Sequence, residues 1–120
     1  MYDYRATYLK NYDGDTISFK IDVGFKMSIE MNIRLLEVDT FEIRDKNEFN
    51  IRLAKEARDF VHDVLSNAKS IIVKTHKDKK EKYGRYLARV IYFDKNSHIH
   101  DLAEELISRK LTTGKYEKQD

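Results

Sequence analysis

The sequence predicts a mainly β fold of the α+β class: a five-stranded Greek-key barrel of the OB type with two or three helices. Three observations point there. Apolar and polar residues alternate in successive short runs over the first third of the chain, the period of half-buried strands. One long stretch then places its apolar residues three and four apart, as an amphipathic helix does. Two further strand-like runs and a second helical stretch follow, and the order of three strands, a helix, two strands and a helix suits a small closed barrel.

Each element has its own warrant. From Ala6 to Tyr12 the chain is rich in Tyr and Thr and reads as a strand. After an Asp13-Gly14 break, Ile17, Phe19, Ile21 and Val23 alternate with Ser18, Lys20 and Asp22, a strand with one apolar face. Gly24 marks the next turn. Met27, Ile29, Met31, Ile33 and Leu35 then alternate with polar residues, so Arg34 leaves its strand on the face opposite that row. Thr40 to Asn50 has no period and reads as a loop, with Asn50 as the helix N-cap. A helix is expected over Arg52 to Ala68, where Leu53, Ala57, Phe60, Val61, Val64, Leu65 and Ala68 recur at three- and four-residue spacing on one apolar face. "SIIVKT" and "RYLARVIYF" are strands. A second helix is expected over Asp101 to Lys110, burying Leu102, Ala103, Leu106 and Ile107, ahead of a polar tail from Gly114 to Asp120 that is expected to fray.

Composition narrows the classes. A chain of 120 residues, 41% hydrophobic and 12% aromatic, is globular rather than disordered and is expected to form one domain over 1–120. Without cysteine there are no disulfides and no thiolate metal sites; proline is also absent. The net charge is only +2, but Lys74 to Lys82 holds five lysines and a histidine against two acids. That run reads either as a solvated loop or as a surface meeting phosphates. No apolar stretch reaches the length of a membrane span, so no membrane partner is expected. The chain as given carries no export signal, which leaves a cytoplasmic or phage-encoded protein, or a secreted one whose leader was removed.

Three segments carry residues suited to chemistry: "DGD", "RLLEVDTFE" and "KYGRYLA". Each has an ordinary reading, since Asp-Gly makes hairpin turns, Arg34 suits a surface, and Gly84-Arg85 suits a strand start. Taken together they offer more. Asp15 and Asp39 are hard oxygen donors of the kind that hold Ca²⁺ or Mg²⁺, with the Thr40 carbonyl as a third ligand. Arg34 and Arg85 can grip a phosphodiester and offset charge growing on its oxygens. Glu42 can accept a proton from water. Metal, guanidiniums and base are the parts of phosphodiester hydrolysis. His98 and His100 lie two apart with no third ligand nearby in sequence, and read as ordinary surface residues.

The ordered set D-G-D-T, R-L-L-x-V-D-T-x-E and K-Y-G-R-x-L-A, with "LAKEARDFV" between, resembles the staphylococcal nuclease (thermonuclease) family over about Ala6 to Tyr116. The resemblance implies a calcium-dependent nuclease on an OB barrel. It would hydrolyse DNA and RNA with a preference for single strands, use water as nucleophile and leave 3′-phosphates; a monomer is the family default. It makes Asp15, Asp39 and Thr40 the Ca²⁺ ligands and Asp13 a carboxylate just behind them. Glu42 matches the residue that activates water, and Arg34 and Arg85 the phosphate clamp. Lys82 and Tyr83 match groups on a terminal phosphate, and Tyr116 a tyrosine near the base. Departures are Phe41 where the family has proline, Lys118 where a second tyrosine is expected, and a chain that stops at Asp120, short of the C-terminal helix of longer members. The alternative is a catalytically weak nuclease-like OB module that binds nucleic acid; the retained Asp15, Arg34, Asp39, Glu42 and Arg85 favour the enzyme.

Overall fold

A computed structural model describes residues 2–80 and 85–113, with backbone alone for 76–80. Six strands and two helices follow the order β1 (Tyr2–Asp13), β2 (Thr16–Gly24), β3 (Met27–Leu35), α1 (Glu48–Ser66), β4 (Ser70–Lys80), β5 (Tyr86–Phe93), β6 (Ile99–Asp101) and α2 (Leu102–Ser108). β1, β2 and β3 form the expected antiparallel meander. β4 pairs with the other edge of β1, and β5 with β4. Parallel pairing of Ile33–Leu35 with Tyr86–Ala88 then closes a five-stranded barrel. The short β6, which sequence reasoning missed, takes the same edge of β5 further along, at Ile91–Phe93.

Alternation explains the interior. Ile17, Phe19 and Ile21 of β2, Ile33 and Leu35 of β3, and Val73, Ala88 and Val90 of β4 and β5 line one buried core. Ala57, Val61 and Leu65 of α1 close it on one side, and Leu102 and Leu106 of α2 on another. Register shifts between Tyr8 and Lys10 and between Asn11 and Asp13 bend β1, as closure of a small barrel requires. Asn11 holds the second bend by donating from Nδ2 to the Asp13 carbonyl at 3.2 Å and to the Arg58 carbonyl of α1 at 3.1 Å.

Several expectations need correction. α1 begins at Glu48, capped by Asn47 rather than Asn50: the Asn47 side chain accepts from the backbone N–H groups of Phe49 and Asn50. The first turn escapes the apolar pattern because Phe49 is exposed, so periodicity started the helix late. The helix also ends at Ser66, before Ala68. β4 continues through Lys80, so the lysine-rich run begins as strand and not as loop. Ile107 is exposed, not buried. Of the apolar row of β3 only the far end reaches the core; Met27 and Ile29 stand in solvent because the β2–β3 hairpin projects past the barrel. The expectations for the tail 114–120 lie outside the described residues.

Candidate active site

The first hairpin loop, Gly14–Asp15, joins β1 to β2 where Asp13 pairs with Thr16. Gly14 does not occupy the left-handed region, so its lack of a side chain serves space rather than conformation. A Cβ there would stand 2.7 Å from Ala57 Cβ and 2.9 Å from Thr40 Cγ2. The turn is thereby pressed between α1 and the loop after β3.

That pressing brings Asp15 to Thr40. Asp15 is 8% exposed, and its Oδ2 accepts from the Thr40 backbone N–H at 2.9 Å. Thr16 Oγ1 lies 3.3 Å from the other carboxylate oxygen, as donor to Oδ1. The Thr40 hydroxyl is buried with no hydrogen-bond partner among the described residues. The strand end is tied in by Leu35 N–H donating to the Asp15 carbonyl at 2.9 Å, and the loop by Thr113 N–H donating to the Asp39 carbonyl at 2.8 Å. Thr40 also forms a bridge with Thr112.

Arg34 lies across Thr16 in the β2–β3 ladder and is only half-buried, on the face opposite Ile33 and Leu35 as its parity predicts. Its Nη1 donates to the carbonyls of Leu35 at 2.9 Å and Val38 at 2.6 Å, which fixes the guanidinium plane. Its Nη2 meets both aspartates: the Asp39 carboxylate in close contact and Asp15 Oδ2 at 3.5 Å. Arg85, just before β5, donates to Thr16 Oγ1 at 2.8 Å. Thr16 therefore links a carboxylate to the second arginine, a role that sequence reasoning did not assign. Its signal was a polar residue in the buried row that opens β2.

Asp13 and Glu42 complete the group. Partial burial raises the Asp13 carboxyl above its usual range, and the nearby charges of Asp15 and Glu42 raise it further; the Ile43 N–H and Arg85 oppose them. Burial is the larger cause, and the repulsion that adds to it shows that Asp13, Asp15 and Glu42 share one negative field, which favours a cation. Glu42 is exposed on a turn in which Asp45 N–H donates to its carbonyl. The structure gathers Asp13, Asp15, Arg34, Asp39, Thr40, Glu42 and Arg85 at one rim of the barrel. Lys82, Tyr83 and Tyr116 lie outside the described residues.

His98 and His100 are remote from this rim. His98 is exposed, but His100 differs from the ordinary surface reading: it bonds Asp94 at 2.8 Å and Glu105 at 3.0 Å and stacks on Tyr92. Among the described residues, no three Asp, Glu or His side chains form a group able to hold a metal by themselves.

Known proteins are similar to this chain in sequence. The family model described as "Staphylococcal nuclease homologue" matches residues 32–119. Thermonuclease of Staphylococcus hyicus is 35% identical over 97 residues, which is 81% of this chain and 53% of that protein. Endonuclease YhcR of Bacillus subtilis is 34% identical over 90 residues, 74% of this chain but 7% of its own length. An uncharacterized protein of Methanocaldococcus jannaschii is 31% identical over 121 residues, covering 87% and 56%. The chain thus spans about half the length of two of these relatives and a small part of the third. A match over most of the sequence, on a five-stranded barrel that gathers the motif residues at one rim, establishes that this chain belongs to the staphylococcal nuclease family.

Proposed function

We propose that the chain is a calcium-dependent nuclease that hydrolyses phosphodiester bonds of DNA and RNA, prefers single strands and leaves 3′-phosphates. The observation that carries this reading is the convergence of Asp15 and Asp39 on one nitrogen of Arg34, with Asp13, Glu42 and Arg85 beside them. Nucleic-acid substrates fit the names of two relatives, a thermonuclease and an endonuclease.

The donor set fits calcium. Two carboxylates meet where a positive charge already sits, and the Thr40 hydroxyl next to Asp15 is a buried oxygen without a partner among the described residues. Asp15, Asp39 and the Thr40 carbonyl would hold the ion. Two carboxylates and a carbonyl fall short of the roughly six to eight oxygens Ca²⁺ takes, so water and substrate phosphate complete the shell. Bound there, calcium supplies Lewis-acid stabilisation of charge on the phosphate.

The chain's own residues do the rest. Glu42, exposed at the rim, takes a proton from water as the water oxygen bonds to phosphorus. The bond from phosphorus to the 5′-oxygen breaks, the 3′-phosphate remains on one fragment, and the 5′-oxygen takes up a proton. Arg34, its plane held by the Leu35 and Val38 carbonyls, and Arg85, held by Thr16, offset the charge that accumulates on the phosphate oxygens. A rim site reaches exposed backbone and splayed bases more readily than a closed duplex, which is the ground for the single-strand preference. The test is digestion of labelled single-stranded DNA and RNA with calcium or with a chelator, followed by end-group analysis. Calcium-dependent fragments ending in 3′-phosphate are expected; binding without cleavage would replace the enzyme by a nucleic-acid-binding module.

A further inference from the structure

The end of the barrel remote from the acidic rim holds a concentration of positive charge. A cleft of about 470 Å³ lies over the outer face of the sheet where β1, β2, β3 and β4 meet, lined by Arg5, Lys20, Lys26 and Lys69. Among the described residues Asp22 is the only acid lining it, and one Asp22 oxygen already accepts from the Gly24 N–H. Four cations less one anion give +3, more than the net +2 of the whole chain. Glu30 stands opposite Lys20 across the ladder without lining the cleft. Lys69 donates to Ser97, whereas Arg5, Lys20 and Lys26 make no ion pair or side-chain hydrogen bond among the described residues. The single Asp22 carboxylate in the lining leaves the four cations unbalanced.

The lip of this cleft is strained in a telling way. Gly24 pairs with Met27, leaving a two-residue loop of Phe25 and Lys26. Both have positive φ, 52° and 61°, where Asn and Gly are the usual occupants. Phe25 is 97% exposed, so no packing rewards an aromatic ring there. A ring held out at the tip, next to Lys26 on the cleft wall, supplies what a sequence-tolerant single-strand site needs: a face for stacking a base beside cations for the backbone.

We propose that this hairpin and cleft form a second subsite for single-stranded nucleic acid, in which Phe25 stacks a base and Arg5, Lys20, Lys26 and Lys69 hold phosphates. The inference rests on the nucleic-acid reading of the chain. Six residue steps along β2 lead from Thr16, at the rim, to Asp22 at the cleft, or roughly 20 Å at the rise of a strand. Because Arg34, Asn32, Lys20 and Asp22 share the outer face by parity, with Asn32 exposed where its partner Ser18 is buried, one strand several nucleotides long can lie along it and engage both ends. Short fragments reach only one end, so the subsite selects long strands.

The test is fluorescence anisotropy with an oligothymidylate of about 12 nucleotides, within the span of one OB fold, in chelator so that nothing is cleaved. Phe25→Ser is expected to weaken binding about tenfold, the effect of losing one stacked base. Lys20→Gln with Lys26→Gln is expected to flatten the slope of log affinity against log salt by about 1.4, for two single-strand phosphate contacts. Melting curves establish that these exposed variants remain folded. As an independent measure, an oligonucleotide carrying iodouracil is expected to photo-crosslink to the peptide containing Phe25. A wild-type protein that cleaves nothing when calcium is added, while the substitutions still weaken its oligonucleotide binding in chelator, would overturn the nuclease reading and support the subsite. Affinity and salt slope indifferent to all three substitutions, with no crosslink at Phe25, overturn the subsite whatever the activity. Phe25-dependent binding to vesicles of anionic phospholipid, with oligonucleotide binding unchanged, overturns it by reassigning the surface to a membrane.

Discussion

Adding one methyl group at Gly14 should unsettle both stability and the site. The new Cβ would lie 2.7 Å from Ala57 Cβ, 2.9 Å from Thr40 Cγ2 and 3.3 Å from the Ala57 backbone carbon. Carbon atoms pack comfortably at about 3.5–4.0 Å, so a displacement near 1 Å is required. Neither neighbour has slack, since Ala57 is fully buried with no rotamer to change and Thr40 is 5% exposed. Overpacking of this kind costs about 1–3 kcal/mol. At about 4 °C per kcal/mol for a domain of this size, Gly14→Ala should lower Tm by roughly 4–12 °C. Ala57 is fixed within α1 whereas Thr40 belongs to the loop after β3, so Thr40 should move more and stretch its 2.9 Å bond to Asp15; the proposed activity should then fall beyond what unfolding explains. Calorimetry of Gly14→Ala, Ala57→Gly and the double variant separates clash from other causes. Ala57→Gly alone should cost about 1 kcal/mol in helix propensity, and the double variant should be less destabilised than the sum of the singles by at least about 1 kcal/mol. A single variant melting within about 2 °C of wild type, or strictly additive effects, would refute the reasoning.

Four further outcomes are expected. Arg85→Lys keeps the charge but loses the planar fork, so kcat should drop about 10²–10³-fold with Tm nearly unchanged; near-normal turnover would make Arg85 structural. Glu42→Gln should lower kcat while nucleotide affinity stays within a few-fold, and full activity would show that Glu42 is not the base. Calcium titrated alone should bind weakly, with Kd of about 10⁻⁴–10⁻³ M, and more tightly with a nucleotide present, because phosphate then adds oxygens and draws Arg34 from the aspartates; tight calorimetric binding independent of nucleotide would contradict this. Bonding to Asp94, and next the Glu105 charge, raises the His100 pKa, so its stabilisation is fully present below the unfolded value of about 6.5 and is lost as pH rises through the folded value. The same contact lowers Asp94 to about 2, so its share persists until strongly acid conditions. The Tm deficit of His100→Gln should therefore be largest near pH 5 and shrink toward pH 9, and the opposite trend in a pH series would exclude the pairing.

What could be read from the sequence followed the length over which a pattern repeats. Ile17 to Val23 and Ile33 to Leu35 reveal their strands because alternation and burial coincide there. Asp15, Arg34, Asp39 and Arg85 are legible from motif order, since the ladder pairs that bring them together are properties of the barrel as a whole. Local chemistry was less visible. Asn47 and Asn50 are equal as caps on paper, and only the position of the free N–H groups decides between them. Gly24 marks the hairpin, but Phe25 and Lys26 are not the residues that two positive φ angles prefer, so the sequence does not show the loop's backbone. Gly14 reads as a turn glycine although the space beside Ala57 is what requires it. His100 finds Asp94 and Glu105 only after β6 and α2 are in place.

Closure of the barrel by β3 and β5 also bears on when activity can arise during folding. The meander β1–β2–β3 joins neighbours in sequence, whereas Ile33 must find Tyr86 across α1 and β4. Contacts so far apart in the chain form slowly, since the entropy of the intervening loop is lost before they repay it. Asp15 and Arg34 lie on the early side of that seam and Arg85 on the late side. A half-folded chain could bring Asp15 to Arg34 but would lack both the Thr112 and Thr113 contacts that tie in Thr40 and Asp39 and the second guanidinium, so the proposed hydrolysis should wait for the slowest folding step. In a refolding time course sampled by nuclease assay, activity is expected to lag behind formation of the first hairpins. Cleavage rising in step with the earliest phase would mean that the seam does not gate the enzyme.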